Sequence, residues 1–82
     1  MPRYYFNVHD GRFFSDEVGT ELPDLAAARR LAVVASGEAI KDLAEQFWDT
    51  SEWRMDVSDE QGKVLFTLRL TSIEPASIRQ TP

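Results

Sequence analysis

His9 and a run of five carboxylates are the residues of this chain whose types and spacing suit catalysis or ion binding. His9 stands beside Asp10, and Asp16, Glu17, Glu21 and Asp24 follow closely. An imidazole next to a carboxylate invites proton transfer, and clustered oxygen ligands suit a hard cation. The spacing is not that of a calcium-binding loop, in which acids alternate before a glycine and a distal glutamate. Each acid also has a simpler local use. Asp10 belongs to a turn, Asp24 caps a helix, and Asp16, Glu17 and Glu21 face solvent or a helix dipole. A single histidine with no cysteine, serine motif or phosphate loop makes a poor active site, so His9 reads as a partly exposed neighbour of a turn. The expectation is a non-enzymatic chain with no catalytic residue, cofactor or metal ligand. A divalent cation in the acidic loop is the alternative.

The totals narrow the classes further. Eighty-two residues suit one domain near the lower size limit for folding on a single unstapled core. The absence of cysteine removes disulfides and thiolate metal sites. Fourteen acids against nine bases give a net charge of −5, which favours solubility and disfavours binding to phosphate backbones. The bases are scattered, Arg29-Arg30 being the one adjacent pair, so no nucleic-acid-binding stripe forms. No segment approaches the roughly 20 apolar residues of a membrane span, and MPRYYFNVHDG lacks the apolar run of a signal peptide. The expected location is the cytoplasm.

Period-two and period-3.6 patterns supply the elements that position these groups. RYYFNV (3–8) alternates, with Tyr4, Phe6 and Val8 on one side and Arg3, Tyr5 and Asn7 on the other, as in a strand with one buried face. Asp10-Gly11 turns the chain, and two registers compete. A two-residue turn pairs Val8 with Phe13; a three-residue loop, His9-Asp10-Gly11, pairs Phe6 with Phe14. Each buries one phenylalanine and exposes the other. The second strand ends by Asp16 or Glu17, and Asp24 after Pro23 caps a helix.

From Leu25 to about Phe47 or Trp48 the pattern is helical, with Leu25, Ala28, Ala32, Ala35, Ser36, Ala39, Ile40, Leu43 and Phe47 on one face. An alanine-rich middle implies close approach to a sheet whose aromatic residues supply the volume. Gly37 lies in the polar half at a cost of about 1 kcal/mol in helix propensity. After a reversal at 49–52, Trp53, Met55 and Val57 alternate with Arg54, Asp56 and Ser58. Hydrophobic matching then favours a four-residue loop, Asp59 to Gly62, pairing Val57 with Val64, Met55 with Phe66 and Trp53 with Leu68. Gly62 takes the left-handed position. Residues 71–82 lose periodicity and read as a flexible tail to a domain of residues 1–70.

The expected fold is α+β: β-β-α-β-β, two hairpins in one mainly antiparallel four-stranded sheet, with one long helix on one face. Strand order stays open. The uncovered face carries Arg3, Tyr5, Asn7, Arg54, Asp56, Leu65, Thr67 and Arg69. An aromatic, a leucine and arginines together suit a protein-interaction surface or homodimer contact, although a half-solvated antiparallel sheet explains the same pattern. Stacking of single-stranded RNA on such a face is disfavoured by the acidic charge.

Three motifs add a resemblance. MPRYYFNVHDG, D-E-x-G-T-E-L-P-D-L-x-A-A-R and V-x-D-E-x-G-K-V-L-F resemble, with no serious departure, a family of small uncharacterised bacterial proteins of rhizobial-type alphaproteobacteria, catalogued as a domain of unknown function. The likeness covers residues 1 to about 70. It implies a cytoplasmic stand-alone or tail-bearing domain without an established activity. The expected role is a protein-interaction or regulatory domain acting through its open sheet face or an edge strand. An antitoxin-like regulatory partner is a further alternative, on a loose likeness to small antitoxin domains.

Overall fold

A computed structural model describes residues 1–50 and 52–75 of the chain. The elements run β1 (Arg3–His9), β2 (Phe13–Phe14), β3 (Thr20–Glu21), α1 (Leu25–Asp42), α2 (Phe47–Thr50), β4 (Glu52–Ser58) and β5 (Val64–Thr71). The sheet is antiparallel in order β2-β1-β4-β5, and β3 also pairs with β1. The class is the expected α+β with one long helix, but the sheet has five strands rather than four. The addition is β3, which sets Thr20 and Glu21 opposite Tyr4 and Arg3, in the stretch between the expected second strand and the helix cap at Asp24. The Leu22 N–H extends this pairing by donating to the Pro2 carbonyl at 3.0 Å.

Both hairpin registers differ from expectation. In the first, Val8 pairs with Phe14 and His9 with Phe13, which matches neither proposed turn. The Asp10 N–H bonds to the Arg12 carbonyl at 3.0 Å, and Gly11 has φ +100°. Phe14 therefore shares a face with Val8, yet Phe13 and Phe14 are 59% and 46% exposed. A two-residue strand at the sheet margin lies outside the cover of α1, so neither ring is buried. Phe13 instead stacks on His9 with centroids 4.6 Å apart, and Arg12 lies 5.2 Å over Phe14.

In the second hairpin, the Asp59 N–H reaches the Lys63 carbonyl at 3.0 Å and the Gly62 N–H reaches the Asp59 carbonyl at 3.0 Å. The loop proper is Glu60-Gln61-Gly62, one residue shorter than expected. Gly62 has φ +84°, as anticipated. A shorter loop alone would put apolar side chains opposite polar ones. A β-bulge cancels that error: Ser58 pairs with Val64 but Val57 with Phe66, so Leu65 is the extra residue. The apolar partners become Val57–Phe66, Met55–Leu68 and Trp53–Leu70. The correct face survives with a shift of two residues.

α1 begins as expected, with Asp24 Oδ1 accepting the Ala27 N–H at 2.9 Å. It ends at Asp42, earlier than the pattern suggested. The Leu43 N–H donates to the carbonyls of both Ala39 and Ile40, and the Gln46 N–H to Leu43 at 3.0 Å, so the chain tightens toward three-residue turns. Eighteen helical residues span about 27 Å, close to the roughly 23 Å of a seven-residue strand. A straight continuation would carry Phe47 beyond the sheet. The break lets α2 pack on β4 and bury Phe47. The expected reversal at 49–52 is divided between α2 and the start of β4, and Ser51 lies outside the described residues, as do residues 76–82 of the expected tail.

The core joins Tyr4, Ala28, Ala32, Phe47, Trp53, Met55 and Val57. Ala28 and Ala32 are fully buried, which is the close helix–sheet approach implied by the alanine stripe. Ser36 Oγ donates to Met55 Sδ at 3.7 Å across the same layer. Gly37 is exposed, and a Cβ built on it meets nothing within 4 Å. Replacing Gly37 by alanine should therefore recover helix propensity without a clash. The expected gain is about 1 kcal/mol, read as a rise of roughly 4–8 °C in the melting temperature of dilute protein.

Candidate functional site

On the open face the side chains converge on Asp56. β1 and β4 set Asn7 opposite Asp56 and His9 opposite Arg54; β4 and β5 set Asp56 opposite Thr67 and Arg54 opposite Arg69. Thr67 Oγ1 donates to Asp56 Oδ1 at 2.8 Å. His9 Nε2 lies 3.2 Å from Asp56 Oδ2. Arg54 Nε lies 3.3 Å from Asp56 Oδ1, an ion pair whose N–H is not aligned for a hydrogen bond. The carboxylate that faces His9 is thus Asp56, from a neighbouring strand, and not Asp10. Sequence pairing of adjacent residues missed it, because the diagonal relation depends on the β1–β4 register.

The rest of this face is also knitted together. Arg3 donates to the Val18 carbonyl at 2.9 Å and to Glu21 Oε1 at 2.7 Å. Asn7 Oδ1 accepts the Asp16 N–H at 2.9 Å, and Asn7 Nδ2 reaches the buried Ser58 Oγ at 3.4 Å. Tyr5 packs beside Gly19, where a Cβ would come within 2.8 Å of its ring. Gly19 has φ +75°, so glycine is required there by backbone and by space. Arg69 Nε lies 3.3 Å from Glu52 Oε2, and Leu65 sits at the bulge. Of the expected interaction face, Arg3, Tyr5 and Asn7 belong to β1, Arg54 to β4, and Leu65, Thr67 and Arg69 to the margin formed by β5.

The acidic loop is put to structural use. Asp16 Oδ2 accepts the Phe6 N–H at 3.1 Å, while its Oδ1 accepts the Val18 and Gly19 N–H groups at 3.0 and 2.9 Å. Burial acts to raise the Asp16 pKa, but these three amides and the nearby Arg3 outweigh it and hold the carboxyl below its usual range. Asp10 accepts the Arg12 N–H at 3.3 Å, Glu21 pairs with Arg3 and Asp24 caps α1. Among the described residues, no three histidine or carboxylate side chains gather as a cation site.

A different surface opens along β5, the last strand in the sheet order, whose outer edge has no strand partner among the described residues. A cleft of about 320 Å³ is lined by Ser36, Gly37, Ile40, Trp53, Leu68, Arg69 and Leu70. A second, of about 380 Å³, runs from Ile40 and Leu70 to Ala44, Phe47 and Trp48. Shared Ile40 and Leu70 make them one groove between α1, α2 and the free edge. Its walls are apolar, with Leu70 42% and Trp48 58% exposed. Sequence reasoning placed the apolar residues of β5 on the covered side of the sheet. It missed that α1 and the sheet margin leave this side open.

The chain belongs to the family described as Domain of unknown function (DUF6894), whose model matches residues 3–71. No curated protein and no solved structure matches it. The family indicates no function. No helix among the described residues is long and apolar enough to cross a membrane.

Proposed function

We propose that this chain is a non-enzymatic protein-interaction domain that docks its partner along β5 and the apolar groove beside it. The observation that carries this reading is the coincidence of an unpaired strand edge with a continuous apolar groove. Natural sheets blunt free edges with proline, lysine, bulges or very short strands. β5 bulges at Leu65, but Phe66 to Thr71 contains no proline or lysine and carries one charge, Arg69. Such an edge offers backbone hydrogen bonds to an added strand, while the neighbouring groove accepts alternate side chains. The open face supports this reading less directly, since the polar groups around Asp56 already bond to one another.

The test compares immobilised wild type with Leu70→Lys and Tyr5→Asp. Lysine at the groove should abolish specific capture and the accompanying protection of β5 amides from hydrogen exchange. Aspartate on the open face should leave both in place. Capture that survives Leu70→Lys and fails in Tyr5→Asp would move the site to the open face.

A further inference from the structure

We infer that the occupant of the β5 edge is a second copy of this chain, paired antiparallel about a two-fold axis through Leu68. The inference rests on the reading of β5 as the docking edge, and it names the partner.

Self-complementarity comes first. A two-fold axis through a residue of an antiparallel pair keeps the helix-side residues of both strands on one face. Centred on Leu68, the axis sets Leu68 against Leu68 of the partner subunit, Phe66 against Leu70 of the partner subunit, and Thr67 against Arg69 of the partner subunit. Moving the axis to Arg69 would oppose two guanidinium groups, and moving it toward Val64 would bring in the bulge. The register about Leu68 uses the regular part of the strand and opposes no like charges.

Charge and helix spacing agree with this. Each chain carries a net charge of −5, yet β5 contains no carboxylate, so two acidic chains meet where neither presents an acid on the pairing strand. α1 packs on both β4 and β5. A helix over that seam lies about one strand spacing from the axis, which brings the two helices to about 10 Å of each other. That is the distance of helices in direct contact. On the β5 side of α1 the groove is lined by Gly37, where a Cβ would touch nothing in the monomer. A glycine that costs helix propensity without an internal contact is accounted for by a neighbouring helix. The dimer would also cover Leu70.

Sedimentation equilibrium of the full chain, from about 1 µM to about 1 mM, tests the inference by mass action. The mass should rise from 9.3 kDa to twice that value. Thr67→Lys places like charges opposite each other at two symmetric positions, and the dissociation constant should weaken about tenfold or more. Adding Arg69→Glu converts both to opposite-charge pairs and should restore the dimer. Circular dichroism of each variant reports whether the fold is kept. A constant mass of one chain overturns the second-copy inference; the Leu70→Lys capture result then decides separately whether β5 docks another protein. A dimer indifferent to the charges at 67 and 69 overturns the β5 register.

Discussion

Trp53→Ala is expected to cost about 3–5 kcal/mol, the range for emptying a buried aromatic site. Trp53 is 1% exposed and, with Val57, is among the largest fully buried side chains. It pairs with Leu70 on β5, and the core it joins is completed by small residues, Ala28 and Ala32. The helix contributes little volume at Ala28 and Ala32, and Ile40, Leu43, Phe47 and Leu68 around the indole would have to shift to close the void. A domain of this size has roughly 4–12 kcal/mol of stability in total. The substitution should therefore remove about a quarter or more of the total stability, visible as a large fall in the midpoint of the cooperative urea transition. Trp53→Phe provides the contrast. Indole Nε1 is buried with no protein acceptor, and phenylalanine removes that donor along with part of the ring. Relief of the unsatisfied N–H offsets lost area, and the expected cost is about 1 kcal/mol. Near-equal effects of the two substitutions would show that Trp53 is not the volume on which the core closes.

The same core shows what was legible in the sequence. Alternation in RYYFNV and in 53–57, together with the alanine stripe, identified which faces meet, because side-chain period depends only on local backbone geometry. Registers were less accessible. In the second hairpin a shorter loop and a bulge at Leu65 compensate each other, and parity arguments cannot detect a pair of errors that cancel. In the first, neither phenylalanine is buried, so the hydrophobic criterion used to choose a register had nothing to act on. β3 was hidden because two residues carry no periodicity. The candidate site suffered for a related reason. Parity grouped the expected face residues along each strand, but the neighbour of His9 and the groove beside Leu70 depend on which strands adjoin and where α1 stops. Those are tertiary facts. Phe47 fitted the helical stripe, yet the helix breaks at Leu43 to bring it inward.

The position of the groove also bears on how the domain can be regulated or assembled. The two margins of the sheet are treated differently. On the β1 side, β2 and β3 cover both ends of the strand and Asp16 fills the interval between them. On the β5 side nothing comparable is present among the described residues. One margin is closed by the chain itself, and the other is left with backbone groups and apolar walls available to a partner. This asymmetry is why the proposed docking lies at β5 rather than on the polar face centred on Asp56.

Closure of the β1 margin yields the second large prediction. Asp16→Ala should destabilise the domain by about 2 kcal/mol, since three backbone amides lose an ionised acceptor and the Phe6 N–H is left at an open strand edge. The figure sits toward the low end for three charge-assisted bonds, because the carboxylate is only partly buried and solvent screens it. The pH dependence has a definite sign. The folded pKa lies below the ordinary value of 3.8, so the unfolded chain takes up the proton first as pH falls. The contribution of Asp16 is complete above that ordinary value and disappears as pH drops through the lower folded pKa. Urea titrations of wild type and Asp16→Ala should thus differ by a constant amount from neutral pH down to about 4, then converge in more acidic solution. Convergence in the opposite direction, toward alkaline pH, would show that the amides do not stabilise the ionised carboxylate. The alanine variant should also aggregate more readily, because residues 5–7 of β1 become a second free edge. If it instead stays soluble while β5 variants alone alter self-association, the two margins are functionally separate: Asp16 serves folding, and β5 serves assembly.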